Sequence, residues 1–241
     1  MHSYSPLQTK PYPGRFIIIG KNKEHAISVY GVTARSSASR AKRYVFDEIK
    51  NTIAVQATDE AVMAEGNLDL LDYTAVRFYK NGILVGNGRQ TDLFHTLNSS
   101  TASEELKTTL ISETYEPDKY LTPRITGCIL FDGASSSVAL SIIRSGEQGE
   151  VRRDYFSVPL NDGQGKFIST YAGPNIRPTP SFAGEPLDID LFSDNPHELA
   201  ESLYSACAPQ AGAEDVRVSV VVVFQNIQTL KKKIAIINAA D

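Results

Sequence analysis

Between Arg35 and Arg43 the chain reads RSSASRAKR, with four cations, three serines and no carboxylate before Asp47. Guanidinium forks and serine hydroxyls suit a phosphate, because each arginine can give two charge-assisted hydrogen bonds. The same cations would also keep a strand end soluble, and this segment alone leaves both uses open. Three further polar segments sit at the ends of apolar runs. GNGRQTD (86–92) joins Asn87-Gly88, a common hairpin turn, to Thr91 and Asp92, which could orient a bound sugar or base. TYEPDKYLTPRITG (114–127) sets Glu116, Asp118 and Arg124 among prolines, with Glu116 either a solvated cap or an acid–base group. KFISTYAGPNIRPTPSFAG (166–184) holds Ser169, Thr170, Tyr171, Asn175 and Arg177 in a stretch too long for a tight turn. Ordered loops of that length often carry function.

Other chemistries lack their residues. His2, His25, His95 and His197 show no ligand spacing, and HELAE (197–201) is missing the second histidine of a zinc hydrolase. There is no G-x-G-x-x-G after a strand, no G-x-x-x-x-G-K-[ST] and no G-x-S-x-G. The Met-His start leaves no N-terminal Ser, Thr or Cys nucleophile, and neither a metal nor an organic cofactor is implied. Cys128 and Cys207 make no disulfide framework, and Cys128, inside ITGCILF, reads as a small buried thiol. A net charge of −4 argues against a nucleic-acid binder that relies on a broad basic face, so any anion site must be local. The longest apolar stretch, VSVVVVF at 218–224, is too short to span a bilayer, and MHSYSPLQTKPYPG has no apolar signal core. A soluble, cytoplasmic protein is expected.

The elements that must position these residues are mostly strands. Residues 1–13, with Pro6, Pro11 and Pro13, read as an irregular lead-in. Strands are expected at 15–20, 26–34, 51–57 and 73–79, the last linked by KNG (80–82) to ILVGNG as a hairpin. Residues 26–34 carry tyrosine and branched side chains on both parities, which suggests a strand covered on both faces. At 73–79, alternation puts Tyr73, Ala75, Arg77 and Tyr79 on one face, and Val76 and Phe78 on the other. STASEELKTTLISETY (100–115) reads as a helix capped by Thr101 or Ser103. DNPHELAESLYSAC reads as a second helix, capped by Asp194 or Asn195 with Pro196 in its first turn. Strands are again expected at 124–131, 137–144, 152–160 and in the two closing runs, where KKK (231–233) solvates or blunts the last one. Two β-rich stretches around a helix, then helix and strands, make one α+β domain spanning 1–241 rather than a βαβ alternation.

Taken in order, the polar segments resemble the archaeal-type inosine monophosphate (IMP) cyclohydrolases. The family's Y-x-G-R strand start is matched by Tyr12 to Arg15, and its S-R-S-x-x-x-R segment by Ala34 to Arg40. Its V-x-N-G-x-x-T-D segment is matched by Val85 to Asp92, its D/T-Y-E-x-D-x-x-x-T-P-R-I segment by Thr114 to Ile125, and its I-S-T-Y segment by Ile168 to Tyr171. Where the family often has Phe-Pro-Asn, this chain has Ser37-Ala38-Ser39. The resemblance implies a four-layer αββα fold like that of N-terminal-nucleophile hydrolases, without their nucleophile. It implies closure of 5-formamidoimidazole-4-carboxamide ribonucleotide to IMP with loss of water, and no cofactor. By motif, Arg40, Tyr73 and Glu116 become the catalytic candidates: a cation at the developing oxyanion, a proton donor or orienter, and a general base. Arg35, Ser36 and Arg124 become phosphate and ribose candidates, and Asn87, Gly88, Thr91 and Asp92 line the base pocket. Lys42 and Arg43 are expected to be ordinary surface charge. The implied partner is a purine ribonucleotide, with no nucleic acid and no membrane; homo-oligomerisation is left open. A non-catalytic purine-ribonucleotide binder would keep the arginine–serine groups without needing Glu116. A hydrolase of another small amide is the third reading, since fold does not fix chemistry.

Overall fold

The structure, a computed structural model, describes residues 4–133 and 135–241. In chain order the strands are β1 (Arg15–Asn22), β2 (His25–Thr33), β3 (Lys42–Asp47), β4 (Thr52–Ala57), β5 (Thr74–Tyr79), β6 (Gly82–Gly86) and β7 (Arg124–Asp132). They continue as β8 (Ser135–Ser145), β9 (Val151–Ser157), β10 (Gln164–Ser169), β11 (Leu187–Asp190), β12 (Arg217–Asn226) and β13 (Lys232–Asn238). The helices are α1 (Ser5–Gln8), α2 (Ser37–Arg40), α3 (Glu60–Ala64), α4 (Leu68–Leu71), α5 (Ala102–Thr109) and α6 (Pro196–Ala206), with a 3-10 turn over Arg89–Leu93.

Two antiparallel sheets result, in the orders β11-β10-β1-β2-β12-β13 and β3-β4-β5-β6-β7-β8-β9, so the fold is α+β. Period-2 alternation sorts the side chains of the second sheet. Ile83 and Val85 join the large cluster shared with Ile17, Tyr30 and Val222 of the first sheet, while Leu84 joins a second cluster with Leu106 and Leu110. Each fully buried aliphatic side chain contributes about 1.5–3 kcal/mol. β2 is buried at every position after His25, as its two-parity apolar pattern suggested. Cys128 is buried in the second cluster.

Helix caps follow local chemistry. Thr101 accepts from the Glu104 amide at 3.2 Å, and Asn195 from the His197 amide at 2.9 Å. Asp194, the other candidate, pairs with Lys23 instead. Helix α5 ends at Thr109 rather than 115: residues 110–112 turn out of it and the chain runs on irregularly to Glu116. The lead-in is irregular only in part, since Ser5–Gln8 is helical and Tyr12 bridges to Gly173; residues 1–3 lie outside those described.

The RSSASR segment proves to be a crossover rather than a strand end. It leaves β2 in one sheet, makes the single turn α2 capped by Ser36, and enters β3 in the other. The alternation expected at 73–79 also fails. The pairing of β4 with β5 slips between Ile53↔Val76 and Ala54↔Thr74, so one extra residue reverses the parity before Val76. Tyr73 therefore joins Val76 and Phe78 in the inter-sheet cluster, while Tyr79 packs with the second one.

Candidate active site

The start of β1, the end of β2 and the start of β3 meet the 116–120 segment and α4 around a cleft of about 450 Å³. Arg15, Ser36, Lys42 and Glu116 line it. A smaller chamber of about 150 Å³ shares Tyr12, Arg15 and Ser36 with it and adds Arg35, Tyr171 and Arg177.

Gly14 sets the approach. Its φ is +73°, and a Cβ there would lie 2.3 Å from Thr170 Oγ1, so the turn delivering Arg15 needs glycine. Arg15 Nη2 then reaches Glu116 Oε1 at 2.5 Å. Glu116 is 3% exposed, and its backbone amide donates to Thr122 O at 2.8 Å. Burial pushes the Glu116 carboxyl above the usual range, against the pull of Arg15 and then Arg124. Burial likewise opposes charge on Arg15, but Glu116 and the nearby tyrosines outweigh it and hold the guanidinium charged.

Behind the pair stands a hydrogen-bonded support. Asn87 Nδ2 donates to Pro123 O at 2.9 Å and to Glu116 Oε1 at 3.4 Å, while Asn87 Oδ1 accepts from the Ile125 amide at 2.8 Å. Arg124 Nη1 donates to Gln90 Oε1 at 3.0 Å. A side chain at position 88 would put its Cβ 2.6 Å from Arg124 Nη1, so Gly88 is what lets that guanidinium lie there. On the opposite side Tyr73 is the hub of three buried hydroxyls, with Tyr30 and Tyr44 each at 2.7 Å. Burial raises all three pKa values, so these hydroxyls keep their protons at neutral pH.

Arg35 stacks on the Tyr12 ring, 4.2 Å from its centroid, and donates to Asn175 Oδ1, Ile176 O and Thr179 Oγ1. The proline-rich loop thus holds the guanidinium rigidly, and brings Arg177 to the same chamber. Among the described residues no group of three or more His, Cys, Asp and Glu side chains is placed to hold a metal ion, and no helix is long and apolar enough to cross a membrane.

Of the residues expected from sequence, Glu116 and Ser36 line the cleft, Arg35 lines the chamber, Tyr73 lies beneath Lys42, and Asn87, Gly88 and Arg124 stand behind Glu116. Others are placed elsewhere. Arg40 points away: its Nε donates to Ala34 O at 2.9 Å and its Nη2 meets Glu214 at 2.6 Å. Thr91 Oγ1 donates to Thr74 O at 2.7 Å, and Asp92 pairs with Arg77 on the outer side of the sheet. Lys42 overturns its reading as surface charge. It is 4% exposed and faces the cleft, because a strand entering the second sheet alternates its side chains inward. Arg15 closes the Tyr12-Pro13-Gly14-Arg15 segment, and its position directly after Gly14 is the sequence signal for its place in the cleft.

Fold and site together define a two-sheet α+β protein whose inter-sheet cleft sets a buried carboxylate beside a cluster of cations. The chain belongs to the IMP cyclohydrolase-like protein family, whose profile matches residues 12–229. It is 27% identical to an IMP cyclohydrolase of Methanocaldococcus jannaschii over 196 residues, covering 79% of this chain and 84% of that one. It is 30% identical to an IMP cyclohydrolase of Haloquadratum walsbyi over 199 residues, 82% and 88% of the two chains. A third, from Methanococcus aeolicus, is 28% identical over 194 residues, 79% and 86%.

Proposed function

We propose that this protein is an IMP cyclohydrolase that closes 5-formamidoimidazole-4-carboxamide ribonucleotide to IMP with loss of water. The observation that carries the reading is Glu116, buried at the cleft wall and fixed at 2.5 Å by Arg15, beside a chamber lined by Arg35 and Arg177. The chamber takes the phosphate, with Ser36 and Ser39 as neutral donors. The cleft then holds the base with its two substituents folded toward one another, which the closure requires because an amide nitrogen is a poor nucleophile. Glu116 removes the proton from the attacking nitrogen, and Arg15, lining the same cleft, faces the oxygen on which charge develops. Tyr73 orients from below.

Packing of α5 on β7, β8 and β9, and of α6 on β12 and β13, supports reading the chain as one domain of four αββα layers like the N-terminal-nucleophile hydrolases. Incubation of purified protein with the formamido ribonucleotide, without added metal, tests the function: IMP should accumulate catalytically. Folded protein that yields none at high enzyme concentration overturns the reading.

A further inference from the structure

Lys42 sits where a proton could be exchanged with a bound molecule, and among the described residues it has no ion-pair partner. It begins β3, is 4% exposed and lines the cleft together with Arg15 and Glu116. Its Nζ lies 5.4 Å above the Tyr73 ring centroid. No carboxylate among the described residues pairs with it, although those residues form ion pairs elsewhere in the cleft. Isolated ammonium groups are costly to bury, so an unpaired lysine facing a cavity either meets a ligand there or gives up its proton.

We infer that Lys42 is a catalytic residue of the ring closure, the acid that protonates the formyl oxygen as the new bond forms. The inference rests on the cyclohydrolase reading above. In the first step the carboxamide nitrogen attacks the formyl carbon and gives its proton to Glu116. The carbonyl π pair moves to oxygen, which takes a proton from the Lys42 ammonium, leaving a neutral carbinolamine. In the second step the C–O bond breaks, and the hydroxyl leaves as water with the proton held by Glu116. The neutral Lys42 amine takes the proton from the former formamido nitrogen, whose electron pair closes the C=N bond. Both groups return to their starting states, and the net change is one water lost.

Groups of both signs face Lys42. On the cleft side stand Arg15, Glu116, Asp118, Lys119 and, beneath it, Tyr73; on the far side, toward the Arg217 end of β12, lie Arg40, Tyr204, Asp215 and Arg217. Burial, then Arg15, push the Lys42 ammonium down to about 7 against the pull of Glu116. A group balanced near neutrality can both give and take a proton, as the two steps demand.

The experiment is kcat/KM against pH for the wild type, Lys42→Met and Lys42→Arg, with the half-buried Arg43→Ala as control and circular dichroism to check folding. The wild type should lose activity above about pH 7, and Lys42→Met should lose about 100-fold or more in kcat. Lys42→Arg should lose as much, because a guanidinium keeps its proton. If Lys42→Arg stays within a few-fold of the wild type, only the charge matters and the proposal falls. A second readout needs no variant. Pyridoxal 5′-phosphate trapped with borohydride near pH 8 should label Lys42, and IMP should protect it; absence of that adduct also overturns the proposal. Failure of the wild type to turn over overturns the cyclohydrolase reading itself, and is thereby distinguished from a turnover that survives Lys42→Met.

Discussion

Arg15 at the start of β1 and Glu116 in the loop before β7 form an ion pair of 2.5 Å that ties one sheet to the chain entering the other. Its carboxylate is almost wholly buried, and the guanidinium side chain is 18% exposed. Removing either partner strands the other, whereas removing both does not. Arg15→Met should cost about 3 kcal/mol in chemical denaturation, and the double variant Arg15→Met/Glu116→Gln clearly less than the sum of the two singles. Additive losses would show that the pair is not coupled.

Glu116→Gln keeps the shape and an acceptor oxygen but removes the proposed base. We expect kcat to fall by about 100-fold or more. The thermal shift given by IMP should persist, because the chamber proposed for the phosphate is unaltered. In the wild type, burial raises the Glu116 pKa above the ordinary 4.5, and the carboxylate is the working form. Activity should therefore be lost as pH falls through a value above 4.5, and an acid limb at or below that value would contradict the assignment.

Lys42 should carry a stability signature opposite to that of a paired lysine. Its folded pKa of about 7 lies below its ordinary 10.5, so between these values the unfolded chain binds a proton that the folded chain lacks. Stability thus rises with pH across that window, and the penalty is full below it. Lys42→Met should raise stability at pH 7 by about 2 kcal/mol or more. The gain should shrink toward zero by pH 10.5, as followed by urea denaturation across the range.

Arg35 and Arg40 are five residues apart and should separate cleanly. Arg35 is clamped over Tyr12 in the chamber proposed for the phosphate, while Arg40 is spent on Ala34 O and Glu214. Arg35→Ala should weaken IMP binding about 10-fold or more by titration calorimetry. Arg40→Ala should change kcat only a few-fold; a loss of about 100-fold would return Arg40 to the chemistry and require the α2 turn to rearrange around substrate.

Much of the architecture was legible because it depends on local pattern. The run VSVVVVF can only be a covered strand, Asn195-Pro196 can only open a helix, and the polar segments follow one another in an order that marks the family. Glu116 was legible for the same reason, standing in a motif before a proline. Three decisions were not local. The slip between Ile53 and Ala54 turns Tyr73 inward, and it depends on how β4 meets β5. The crossover at Ser36–Arg40 sends Arg40 outward to Glu214, some 170 residues away in the chain. Lys42 looks like its neighbour Arg43 in the sequence, yet only one of them lies between the sheets. A sequence carries residue type and spacing, which set strand, cap and motif. Burial, partner and pKa belong to the surroundings, and those exist only once the two sheets have closed on each other.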